Sequence, residues 1–179
     1  MKVFWFFFPK KNTCYTVSMT NLIAAIDTTD PARAGALAAA VAPHCGMLKL
    51  GLEFYLANGA PGVRLIGQLP VFLDLKLHDI PNTVAGGVRA VLPLAPRLLT
   101  LHAAGGAAMI AAARQAADAA GAQRPRLLAV TVLTSLDADA LHATGVADTP
   151  RQQVLRLARL ALAHGADGLV CSPQEVAML

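Results

Sequence analysis

From Met19 onward, short apolar runs alternate with alanine-rich stretches of helical period, and successive runs end on a polar residue. The apolar runs are Leu22–Asp27, Met47–Gly51, Val71–Lys76, Leu98–His102, Leu127–Thr134 and Gly168–Ser172. Between them lie helical patterns at Pro31–Val41, Glu53–Asn58, Thr83–Leu92, Gly106–Ala120 and Pro150–His164. Asp30-Pro31 and Thr149-Pro150 read as helix starts, a capping side chain followed by proline at the first helical position. Strands separated by helices must pair in parallel, which makes this an α/β chain.

The phase inside each strand narrows the choice. Val71, Leu73, Leu75 and Leu77 share one face, and Phe72, Asp74, Lys76 and His78 share the other. Leu48 and Leu50 oppose Lys49. Leu22, Ala24 and Ile26 oppose Asp27, and Leu99 and Leu101 oppose Thr100 and His102. An open doubly wound sheet is covered by helices on both faces and rarely places charges this way. A TIM-type (β/α) barrel does, because its inner face turns polar at the C-terminal mouth, where such enzymes keep their sites. Six units are present, with the opening of one more helix at Pro173–Leu179, so the expected fold is an incomplete barrel of about six of the eight βα units. Such an arc leaves two strand edges unpaired, on its first and sixth strands.

Composition sets the remaining bounds. With 55% hydrophobic and 15% charged residues, the chain is too apolar for disorder, and no run approaches the length of a membrane span. The expectation is a soluble domain without a membrane partner. The net charge of +4 includes Lys2, Lys10 and Lys11, in a stretch with no acid, leaving +1 for the rest. A nucleic-acid-binding face is therefore not expected. Cys14, Cys45 and Cys171 are odd in number and far apart, which fits a reducing cytoplasm and excludes a disulfide framework. Residues 1–18 hold six of the nine aromatics and read as a non-native-looking, disordered leader without assigned function, ahead of a domain over 19–179. The apolar core of the leader is too short for a signal peptide.

After Lys11 only two lysines remain, Lys49 and Lys76, against ten arginines. Lysine is a compact point charge able to give up a proton, and a guanidinium effectively is not. Both lysines fall on inward strand faces. Asp74 and Lys76 project side by side, Asp79 follows just past the strand end, and Lys49 comes from the neighbouring strand. Two cations alternating with two carboxylates in a partly dry mouth would hold each other ionised. A lysine so held can act as a general acid. The same four residues also suit a purely structural ion-pair network. No spacing suggests a metal site, and no cofactor motif is present. His78 and His102 are read as structural or hydrogen-bonding supports.

The run from Phe72 to Thr83, FLDLKLHDIPNT, resembles the signature of the orotidine 5′-phosphate decarboxylase family. Ala25-Ile26-Asp27, Leu48-Lys49-Leu50-Gly51, His102-Ala103-Ala104-Gly105-Gly106, Val132-Leu133-Thr134-Ser135 and Val170-Cys171-Ser172 extend the resemblance along the chain. It implies a cofactor-free decarboxylation of orotidine 5′-phosphate to uridine 5′-phosphate, in pyrimidine biosynthesis. Lys76 would supply the proton that replaces the carboxylate, and Asp74 would destabilise that carboxylate and hold Lys76. Lys49 would bridge the network and the ribose hydroxyls, and Asp27 would bind ribose. Asp79 and Thr83 would reach the partner's site in a homodimer, and Thr134 would contact the pyrimidine.

The family grips the substrate phosphate with segments after its seventh and eighth strands, and these do not occur in the 179 residues. Remote binding energy drives the chemical step. Turnover far below that of an eight-unit chain is therefore expected. DxKxxD alone is shared with sugar-phosphate lyases and synthases that use magnesium, so that activity is one alternative, and an inactive fragment is another.

Overall fold

The computed structural model describes residues 5–7, 22–66 and 68–179. Six parallel strands form a half-barrel: β2 (Ile23–Ile26), β3 (Met47–Gly51), β4 (Val71–Leu77), β5 (Leu98–His102), β6 (Arg126–Val130) and β7 (Gly168–Cys171). Each pairs with its neighbour in chain order. A short strand, β1 (Trp5–Phe7), lies antiparallel on the outer edge of β7, with Phe6 opposite Val170. The helices are α1 (Pro31–Val41), α2 (Leu52–Ile66), α3 (Pro81–Val91), α4 (Gly106–Asp118), α5 (Ala138–Ala143) and α6 (Pro150–Ala163).

The local signals act as the sequence suggests. Asp30 Oδ1 accepts from the Ala32 and Arg33 amides, and Pro31 opens α1. Thr149 and Gln152 form a reciprocal capping box on α6. Asp137 caps α5, a two-turn helix too short to stand out as a periodic pattern. The helical stretch beginning at Leu52 is interrupted just after Asn58, the expected end, and resumes to Ile66. Gly59 (φ 57°, ψ −157°) breaks it, and Pro61 sits in the first turn of the segment that resumes. The segment at Pro173–Met178 winds as a 3₁₀ helix, capped by Ser172 and Glu175.

The fifth apolar run, read as Leu127–Thr134, forms a strand only as far as Val130. The ladder to β7 ends at the Val130–Val170 pair. Thr131 then directs both its amide and its hydroxyl to the Val170 carbonyl, and a turn follows at Thr134. The edge of β7 also departs from expectation. Residues 5–7, placed by sequence in a disordered leader, pair with it, because an unpaired strand edge presents a row of free donors and acceptors that aromatic, β-favouring residues can satisfy. The remainder of residues 1–18, Cys14 and the expected domain start at Met19 lie outside the described residues.

The two sheet faces bury two separate clusters. Leu50, Leu73, Leu99, Leu127 and Leu169 point outward under the helices and are fully buried. Phe72, Leu98 and Leu128 point inward and pack with the partly buried Ile23, Met47 and Val170, forming an apolar floor inside the arc. Above that floor the inward positions are Lys49, Asp74 and Thr100, all buried. An apolar floor therefore forces the charged residues toward the C-terminal rim.

The opposite, N-terminal rim is tied by a separate network. Asp167 accepts from both Arg124 terminal nitrogens, at 2.8 and 2.7 Å, and from the Leu127 amide at 2.8 Å. Its carboxyl lies below the usual range: burial pushes it up, but the Arg124 and Leu127 hydrogen bonds and the Arg124 and Arg114 charges outweigh that.

Candidate active site

The site is built around an irregularity in β4. Its register against β5 shifts between Leu73 and Leu77, and Lys76 sits there in the left-handed region, at φ 51°. For a residue with a Cβ that conformation costs about 1–2 kcal/mol. The Lys76 amide donates to Thr100 Oγ1 at 2.8 Å, and the Thr100 hydroxyl donates to Asp74 Oδ1 at 2.9 Å. The Lys76 ammonium donates to Asp74 Oδ2 at 2.8 Å.

From Asp74 the charges continue across the strands. Lys49 Nζ lies 3.8 Å from Asp74 Oδ2 and 3.5 Å from Asp27 Oδ1. The sequence Asp27–Lys49–Asp74–Lys76 therefore alternates in sign. The side chains of Lys49 and Asp74 are each 7% exposed, Lys76 is 33% exposed and Asp27 60%. The middle of the string is dry, and both ends open to the mouth. At an effective dielectric of about 20, opposite unit charges at 2.8 Å attract by about 6 kcal/mol. Desolvation costs several kcal/mol per ion. These effects nearly offset, so the string does more to fix positions than to add net stability.

The other expected site residues occupy the same rim without joining the string. Asp79 is exposed, accepts from the Ile80 amide at 2.7 Å and pairs with neither lysine; its place in the expected alternation is taken by Asp27. Thr83 is exposed in the first turn of α3, and Thr134 is exposed in the turn after β6. The His78 and His102 rings approach to 5.2 Å between centroids. Burial, together with the His78 and Lys76 charges, holds His102 below its ordinary 6.5 against the pull of Asp74. A cleft of about 540 Å³ opens beside the His78 ring, between Asp79–Pro81 and Ala104–Gly105. A Cβ at Gly105 would displace the flexible end of the Met109 side chain.

Sequence reasoning did not single out Thr100 as a site residue. The available signal was a hydroxyl on the inward face of an otherwise apolar strand, LLTLH. Among the described residues, no group of three or more His, Cys, Asp or Glu is placed to hold a metal ion.

A parallel strand–helix arc with its charges gathered at the C-terminal ends of β2, β3 and β4 defines the class of (β/α)-barrel enzymes. The profile of the orotidine 5′-phosphate decarboxylase / HUMPS family matches residues 20–179, and the chain belongs to that family. A protein of Rhodospirillum rubrum named orotidine 5′-phosphate decarboxylase is 54% identical over 170 residues, covering 91% of this chain and 69% of its own length. One of the same name from Gluconobacter oxydans is 51% identical, with 89% and 70% covered. The crystal structure of orotidine 5′-phosphate decarboxylase from Lactobacillus acidophilus superposes with a TM-score of 0.79 at 36% identity, covering 86% of this chain and 72% of that one.

Proposed function

We propose that this chain carries the decarboxylase chemistry of its family, converting orotidine 5′-phosphate to uridine 5′-phosphate in pyrimidine nucleotide synthesis. The carrying observation is the Lys76 ammonium held 2.8 Å from the buried Asp74 carboxylate at the open rim. When the bond between the ring carbon and the carboxylate breaks, carbon dioxide leaves and the electron pair stays on the ring carbon. Lys76 delivers its proton to that carbon. Asp74 repels the substrate carboxylate in the ground state, and the repulsion is relieved as carbon dioxide departs. It also holds the Lys76 ammonium in place for that transfer, through the 2.8 Å contact. Lys49, paired with both Asp74 and Asp27, orients the ribose hydroxyls together with Asp27, and Thr134 contacts the pyrimidine.

The exposed positions of Asp79 and Thr83 support a homodimer in which each reaches the other copy's site. Ile80, between them in sequence, is an exposed large apolar residue, as an uncovered contact face would have. The unpaired, buried Cys45 and Cys171 suit a reducing cytoplasm. No described helix is long and apolar enough to cross a membrane.

The test is the loss of orotidine 5′-phosphate absorbance, with and without EDTA. The decarboxylase reading expects the same rate in both. No loss of orotidine 5′-phosphate, with EDTA-sensitive turnover of a sugar phosphate instead, would favour a magnesium-dependent sugar-phosphate reaction, which the names of the relatives do not favour.

A further inference from the structure

We infer that Thr100 is the positioning residue for Lys76. The inference rests on the decarboxylase reading only for its kinetic consequence.

The Thr100 hydroxyl has one proton and gives it to Asp74 Oδ1, so its lone pairs are what the Lys76 amide meets. Asp74 uses its other oxygen on the Lys76 ammonium. Both ends of the same lysine, backbone amide and side-chain nitrogen, are therefore tied into one closed ring through Thr100 and Asp74. The register shift between Leu73 and Leu77 takes this part of β4 out of the regular ladder with β5. A side chain of β5 supplies the acceptor that a strand carbonyl would otherwise provide. Thr100 is fully buried, so water is not at hand to replace its hydroxyl.

Two features of Lys76 need this support. Its backbone is in a conformation that side chains with a Cβ disfavour, and its ammonium must point at the mouth rather than swing freely. Releasing the amide lets the backbone relax toward an extended conformation, and the ammonium moves with it. Asp74 also loses one of the contacts that fix its carboxylate plane. Neither change removes a charge, so the defect is one of placement.

Thr100→Val keeps the shape and removes the hydroxyl, whereas Thr100→Ser keeps the hydroxyl. In Thr100→Val we expect kcat to fall by about 100-fold, as for an ångström-scale misplacement, with KM little changed, and Thr100→Ser to restore kcat to near the wild-type value. The structural arm does not require turnover. In crystals of Thr100→Val the Lys76–Asp74 contact is expected to open, and in solution the Lys76 amide is expected to exchange faster than in wild type and in Thr100→Ser. If Thr100→Val does not fold, Thr100→Ala is read in the same way. A valine or alanine variant that keeps Lys76 left-handed, its amide protected and its ammonium on Asp74 would overturn the role of Thr100. A wild-type chain that releases no carbon dioxide would instead count against the decarboxylase reading, with the structural arm still deciding for or against Thr100.

Discussion

The ammonium of Lys49 lies 3.8 Å from the carboxylate of Asp74, and both side chains are nearly sealed from water. A buried pair at that separation is poorly compensated in isolation. It persists because each partner has a second one, Asp27 for Lys49 and Lys76 for Asp74. The string therefore behaves as a unit, and removing an inner member leaves charge stranded.

Asp74→Asn is the sharpest such removal. It leaves two facing ammonium groups, one of them buried, without the anion between them. Breaking a buried pair in this way costs about 3–5 kcal/mol. Urea unfolding at pH 7 is expected to show that loss, and Asp27→Asn a far smaller one, because Asp27 is mostly exposed.

His102 predicts a dependence on pH. Its folded-state value lies below the ordinary 6.5 because burial and the nearby His78 and Lys76 charges disfavour the cation, with Asp74 opposing. The unfolded chain therefore binds a proton that the folded chain resists. The stability contributed by this group is full above pH 6.5 and is lost as pH falls through the lower folded value. Thermal unfolding followed between pH 7.5 and 5 is expected to fall less steeply in His102→Gln than in wild type.

The Asp167 network predicts a second pH window at the other rim. The Asp167 carboxyl titrates below 3.8 in the folded chain, so its stabilisation is present above that value and lost as pH falls through the folded one. Asp167→Asn is expected to lower stability by about 1.5–3 kcal/mol at pH 7, the range for hydrogen bonds to charged groups. The difference from wild type should shrink in acid, and chemical denaturation at pH 7 and pH 3 measures it.

The pairing of β1 with β7 predicts a change in association. A chain lacking residues 1–18 bares the β7 edge, and a bare edge recruits another strand. Size-exclusion chromatography across a concentration series is expected to show more self-association in the shortened chain. Identical profiles would mean that β1 does not protect the edge.

The alternation within strands was legible because it is local. Residues two apart share a face, so the inward placement of Lys49, Asp74 and Lys76 could be read from one dimension. The start of α1 was legible for the same reason, since Asp30 and Pro31 act within one turn. What escaped depends on partners distant in sequence. The end of β6 is set by the Val170 carbonyl, and β1 by the free edge of β7. The left-handed backbone at Lys76 and the bridging hydroxyl of Thr100 arise only when β4 and β5 lie together. Asp79 read as a member of the charge string because it is near in sequence, yet its position past the strand end turns it outward.

Release of labelled carbon dioxide from carboxyl-labelled orotidine 5′-phosphate, with the chain in excess over substrate, tests the role of Lys76 most directly. The wild-type chain should release label, and Lys76→Met should be slower by about 10²–10⁴-fold, the range for loss of a positioned acid. Equal release by wild type and Lys76→Met, or none by a folded wild-type chain, would contradict the assignment.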